Sequence, residues 1–148
     1  MRILVATDGS RGGDAAVRFA ARFAVCDPAT CLIVVTIAPS PDQEPSPSAA
    51  QQRRRTKAVR DSATRALQRL HVRGRIETAA LRPHETIPEA IVREADRRKA
   101  DLVVIGSEGR DTLREWVVSG VALRLIYLAR RPVAVVRPPR LRRRASVA

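Results

Sequence analysis

The chain has 148 residues, 45% hydrophobic, 29% charged and only 3% aromatic, the balance of one globular domain with an aliphatic core. No apolar run approaches the roughly 18 residues of a membrane span, and residues 2–6 read as a strand rather than a leader, so the cytoplasm is the expected location. The net charge of +13 is concentrated in residues 51–99, with fourteen basic against six acidic groups, and in four arginines after Pro138; it suits nucleic acid or an anionic surface, although the Arg-, Ala-, Pro- and Val-rich usage of a GC-rich genome already accounts for it.

The elements alternate from the start. Ile3-Leu4-Val5-Ala6 is a short apolar run of the kind a strand buried on both faces carries. The turn cluster Thr7-Asp8-Gly9-Ser10 follows. Ala15, Ala16, Phe19, Ala20, Phe23 and Ala24 then recur at helical spacing, and Asp27-Pro28 ends that helix. Residues 32–37 form the second strand. Residues 38–50 hold four prolines and three serines without periodicity, which predicts a long flexible loop. A helix is predicted from about Gln51 to Leu70, with Val59, Ala63, Ala66, Leu67 and Leu70 inward and Lys57, Arg60, Arg65 and Arg69 in solvent.

The third strand spans Ile76–Leu81 and, being less apolar, suits an edge. Thr86 and Glu89 have capping-box spacing, with Pro88 in the first turn of a helix lined by Ile87, Ala90, Ile91 and Ala95. Residues 102–105 are the fourth strand. The last helix runs to about Ala129 with Val121, Leu125 and Leu128 on one face, and Val133–Val136 is the fifth strand. Residues 1–137 thus form one α/β domain, and 138–148 a basic tail expected to be disordered. Cys26 and Cys31 read as small buried hydrophobes, Trp116 as a packing residue, and His71 and His84 as surface residues.

Every strand-to-strand connection passes through a helix, which argues for a five-stranded parallel sheet with helices on both faces and right-handed crossovers. The doubly wound order 3-2-1-4-5 places a switch point between strands 1 and 4, where such sheets bind ligands. Two loops meet there, Ala6-Thr7-Asp8-Gly9-Ser10 and Gly106-Ser107-Glu108-Gly109. Glycine-containing turns allow close backbone approach, and their N–H groups, with those of the next helix, suit an anion. Arg110 would add a charge-assisted contact, and Ser119 stands where it can cap the last helix. Asp8 can accept hydrogen bonds from a ribose or base, or simply cap the first helix; Ile37 can wall an adenine.

ILVATDGS at the start, LIVVTIAP, ADLVVIGSEGR and RPVAVVRP at the end resemble universal stress proteins, over about Arg2 to Arg137. The family's nucleotide-binding members carry Gly-x-x-Gly, nine residues, then Gly followed by Ser or Thr. Gly106 and Gly109 match; after the nine residues 110–118 the pair stands reversed as Ser119-Gly120, and Glu108 puts a carboxylate in the loop. The resemblance implies an adenine-nucleotide α-hydrolase-like fold and ATP or AMP binding, magnesium accompanying the phosphates. It sets Thr7, Asp8 and Ile37 near the nucleoside, and Gly106, Gly109, Ser119, Gly120 and Val121 near the phosphates; Ala6 and Arg110 join the candidate site from the two loops. No nucleophile with an oriented base is evident, so at most slow ATP hydrolysis is expected. The resemblance also implies a homodimer through the edge strand Val133–Val136. Two other roles compete. One is a dimeric interaction protein of the same fold without nucleotide; the other is weak, salt-sensitive nucleic-acid or anionic-surface binding through Arg53-Arg54-Arg55 and the tail.

Overall fold

Short aliphatic runs form the strands and longer amphipathic ones the helices. The computed structural model describes residues 1–39, 47–108 and 118–139. In chain order they form β1 (Arg2–Ala6), α1 (Arg11–Cys26), β2 (Cys31–Ala38), α2 (Pro47–Arg69), β3 (Gly74–Ala80), α3 (Ile87–Arg97), β4 (Leu102–Gly106), α4 (Gly120–Leu128) and β5 (Val133–Val136). The sheet is parallel in the order β3-β2-β1-β4-β5, as the alternation predicts, with β3 at one edge and β5 at the other.

Successive side chains on a strand point to opposite faces, and the core divides accordingly. On one face Ile3, Val5, Leu32, Val34 and Val104 pack against Ala16, Val17, Ala20 and Ala21 of α1 and Ala63 and Leu67 of α2. On the other, Leu4, Ala6, Ile33, Val35, Val103 and Ile105 pack against Ile91 and Ala95 of α3 and Ala122 and Leu125 of α4. The α1–α2 layer carries ten basic and two acidic residues, the α3–α4 helices three of each. The excess charge therefore lies on one face, where Arg53, Arg54, Arg55, Lys57, Arg60, Arg65 and Arg69 are all exposed. Among the described residues no helix is long and apolar enough to cross a membrane.

Several expectations need correction. The helix expected from Gln51 begins at Pro47, which shortens the expected loop 38–50; residues 40–46 lie outside the described residues. β3 starts at Gly74, two residues early, and Leu81 follows it, its N–H bonded to the Ala38 carbonyl at 2.8 Å. Leu70 falls beyond α2 and is exposed, as is Leu128. Cys26 and Cys31 are exposed rather than buried, since both sit at element ends. Phe19 and Phe23 are more than one-third exposed and meet edge to face with centroids 5.4 Å apart. Ala15, Ala16 and Ala20 are buried as expected, and Gly12, Gly13, Val17 and Ala21 complete the buried stripe of α1, because small residues let the helix lie close to the sheet. His71 and His84 are exposed as expected, each at a left-handed turn position.

The α3 capping box forms: the N–H and the hydroxyl of Thr86 both donate to the Glu89 carboxylate at 2.7 Å. These bonds, first the backbone one, hold the Glu89 carboxyl below its usual range. One turn further along, Glu94 is 2% exposed and ion-paired with Arg93, Arg97 and Arg98. Arg98 also pairs with Glu77 of β3, and Arg93 with Glu85 at 2.7 Å. Arg93 further donates to the Ala80 carbonyl at 2.9 Å, so the network ties α3 to the edge strand. Its hydrogen bond to Glu85 holds that carboxyl low, against the opposing effect of partial burial.

Candidate functional site

The site begins where β1 stops. Thr7 still pairs with β2, donating its N–H to the Val35 carbonyl at 3.0 Å. The chain then turns: Gly9 N–H donates to Thr7 Oγ1 at 3.1 Å and Ser10 N–H to Asp8 Oδ1 at 2.9 Å. Gly9 has φ 73°, a left-handed conformation that glycine takes without strain. The cap of α1 is Ser10 rather than Asp8: Ser10 Oγ accepts from Gly13 N–H at 3.1 Å. The Asp8 side chain is therefore committed to the turn, with its carboxylate at the strand tip.

The second loop arrives from β4. Ser10 Oγ donates to the Glu108 carbonyl at 3.2 Å, joining the two loops directly. Glycine is required at their meeting point. A Cβ on Gly106 would overlap the Gly12 carbonyl carbon, and one on Gly12 would overlap the Glu108 carbonyl oxygen. At the far end of the loop, Ser119 N–H donates to the Ser107 carbonyl at 2.7 Å, and Ser119 Oγ accepts from Ala122 N–H at 3.2 Å as the cap of α4. The Ser119 hydroxyl hydrogen is still free to donate to a ligand. Gly120 and Val121 form the first turn of α4, where amides lack intrahelical partners.

These contacts enclose a cavity of about 140 Å³ at the β1–β4 switch point. Of the predicted site residues, Ala6, Thr7, Asp8, Ile37, Gly106, Ser119 and Val121 line it. Gly120 instead lines an adjoining outer groove of about 810 Å³. Gly109 and Arg110 lie outside the described residues. Five lining residues escaped the sequence reading: Gly13, Val35, Ile87, Ile91 and Ile105. Gly13 was legible as a second glycine opening α1. The two α3 isoleucines were legible only as core, since nothing local says that α3 crosses the switch point. Bordering this space explains why Ile87, expected to be buried, is 44% exposed.

The walls are mostly branched aliphatics; Thr7, Asp8, Glu108 and Ser119 are the polar lining residues, and Asp8 and Ser119 stand where the cavity meets the outer groove. An apolar slot with a few convergent polar groups suits a flat ring system carrying a hydroxylated substituent. Among the described residues no three His, Cys, Asp or Glu side chains cluster to hold a metal, and neither histidine lines the cavity.

The universal stress protein family model matches residues 1–137. No curated protein matches the chain significantly. Among solved structures, a universal stress protein family member from Burkholderia pseudomallei is 27% identical at TM-score 0.70, with 93% of this chain and 96% of that one covered. The Archaeoglobus fulgidus universal stress protein in complex with dAMP is 25% identical at TM-score 0.64, covering 91% and 96%. An Arabidopsis thaliana family protein with AMP bound is 16% identical at TM-score 0.63, covering 94% and 92%, which speaks for the fold alone. With nearly the whole folded chain matched, this protein belongs to the universal stress protein family.

Proposed function

We propose that the protein is a nucleotide-binding module that holds AMP or ATP at the β1–β4 switch point and works as a homodimer. The observation that carries the nucleotide reading is the aliphatic cavity with Asp8 at its mouth. A base would enter between Ile37 and the α3 isoleucines, and a ribose hydroxyl would donate to Asp8. The dAMP complex of the Archaeoglobus fulgidus protein supports that choice of ligand. Magnesium would arrive with a triphosphate as its counter-ion. Binding rather than turnover is the role in this reading, with ATP hydrolysis slow at most.

A thermal shift tests this. A ligand at about one hundred times its dissociation constant adds about 2.7 kcal/mol, or roughly 5–10 °C in a chain of this size. Millimolar AMP or ATP, the latter with and without magnesium, should raise the melting temperature by that order. No shift with any of them sinks the proposal.

The dimer reading rests on β5. All four of its residues are partly exposed, and it is an edge, so one row of backbone groups has no strand partner. The Pro132 and Val136 carbonyls accept from β4 and the following residue, so Val133 and Val135 turn their N–H and C=O groups outward. A second β5 would satisfy them. Wild-type protein should therefore have a dimeric mass at micromolar concentration. Val135→Pro, which removes an outward N–H and leaves the β4 ladder intact, should shift it toward monomer while circular dichroism stays native. A monomeric wild type overturns the pairing.

A further inference from the structure

The cavity sorts the parts of a nucleotide by polarity. Its walls are mostly branched aliphatics. A phosphate buried among them would lose its hydration without gaining partners there, which is costly. The phosphates must therefore leave through the outer groove, which shares Asp8, Ile37, Ile87, Ser119 and Val121 with the cavity.

Two arginines line that groove. Arg55 comes from α2 and Arg124 from α4, helices on opposite faces of the sheet, so they flank the opening from two sides. Among the described residues neither is hydrogen-bonded or ion-paired. Arg124 lies close enough to Glu89 to help lower its pKa, but Thr86 already holds that carboxylate. Gly120 lines the same groove, and nothing stands within 4 Å of where its Cβ would be, which leaves open space beside Arg124. The Ser119 hydroxyl, which in the family's order would follow the glycine, is here the α4 cap.

We propose that Arg55 and Arg124 clamp the phosphate chain of the bound nucleotide, so that affinity in this chain grows with phosphate number through two side chains rather than through the loop amides alone. This rests on the nucleotide reading above. Guanidinium is suited to the task, since its fork of donors matches phosphate oxygens and its charge persists at any working pH.

Calorimetric titration with adenosine, AMP, ADP and ATP tests the clamp on wild type, Arg55→Ala, Arg124→Ala and the double variant. Wild-type affinity should rise from adenosine to ATP. Each single substitution should weaken ATP about tenfold, the effect of one charge-assisted contact, and leave adenosine unchanged. Unaltered ATP affinity in the double variant, or an equal loss for adenosine and ATP, overturns the clamp. If wild type binds neither adenosine nor ATP, the nucleotide reading fails and tripolyphosphate decides the clamp alone. Binding that weakens in the double variant upholds it; absent or unchanged binding overturns it.

Discussion

Glu94→Ala should destabilise the fold by about 3 kcal/mol, the low end of the cost of breaking a buried ion pair, lowering the melting temperature by roughly 6–12 °C. The carboxylate is 2% exposed and compensates Arg93 and Arg98, whose side chains are 20% and 9% exposed. Removing it leaves those cations in a poorly solvated place. Arg98 keeps Glu77 and Arg93 keeps Glu85, which is why the low end applies. Glu94→Gln preserves the shape and one acceptor oxygen, so its loss should be smaller. The exposed Lys57–Asp61 pair, at 3.2 Å and with side chains 79% and 49% exposed, is the contrast. Lys57→Ala should change stability by no measurable amount, because solvent screens such pairs. Urea unfolding of the three variants checks the set. A loss below about 1 kcal/mol for Glu94→Ala, the worth of a surface pair, would show that the network is not anchoring α3 to β3.

The sequence made the strand order legible because a βαβ crossover has one hand, and four of them in succession leave little choice. It also made the Thr86–Glu89 box and the Ser119 cap legible, since each is decided within four residues. What it concealed depends on neighbours distant in the chain. Phe19 and Phe23 keep the spacing of the buried alanines, so periodicity alone sets them inward. They are displaced because Gly12 and Gly13 bring the start of α1 so near the sheet that the inner stripe has room only for small residues and Val17. Glu94 looks like one more charge on an acidic and basic helix. Its burial follows from Glu77 and Glu85, nine or more residues away, which engage its arginine partners. The cavity shows the same division: the loop residues were readable from turn chemistry, the α3 wall only from packing.

Gly106→Ala should cost stability and ligand together, whereas Gly120→Ala should cost at most ligand. As a motif residue, Gly106 reads as the place where a phosphate passes close to the backbone. In the fold its missing side chain is already used by the protein: a Cβ there would run into the Gly12 backbone, with its carbonyl oxygen and Cα also within contact. Backbone atoms cannot rotate away, so α1 must shift off β4. Overpacking of this kind costs about 1–3 kcal/mol, and the upper end is expected because the Gly12–Glu108 approach beside it is equally tight. The same shift moves Gly13, Thr7 and Glu108, which line the cavity, so nucleotide affinity should fall with stability. Gly120 stands in open space, and an alanine in the first turn of α4 is a better helix former than glycine. Gly120→Ala should therefore melt no lower than wild type, and any loss of ATP affinity in it reports a ligand passing close to that Cα. Thermal unfolding and calorimetry on the two variants separate these roles. Should Gly106→Ala melt like wild type, the close approach of α1 to β4 is not what holds the two loops together.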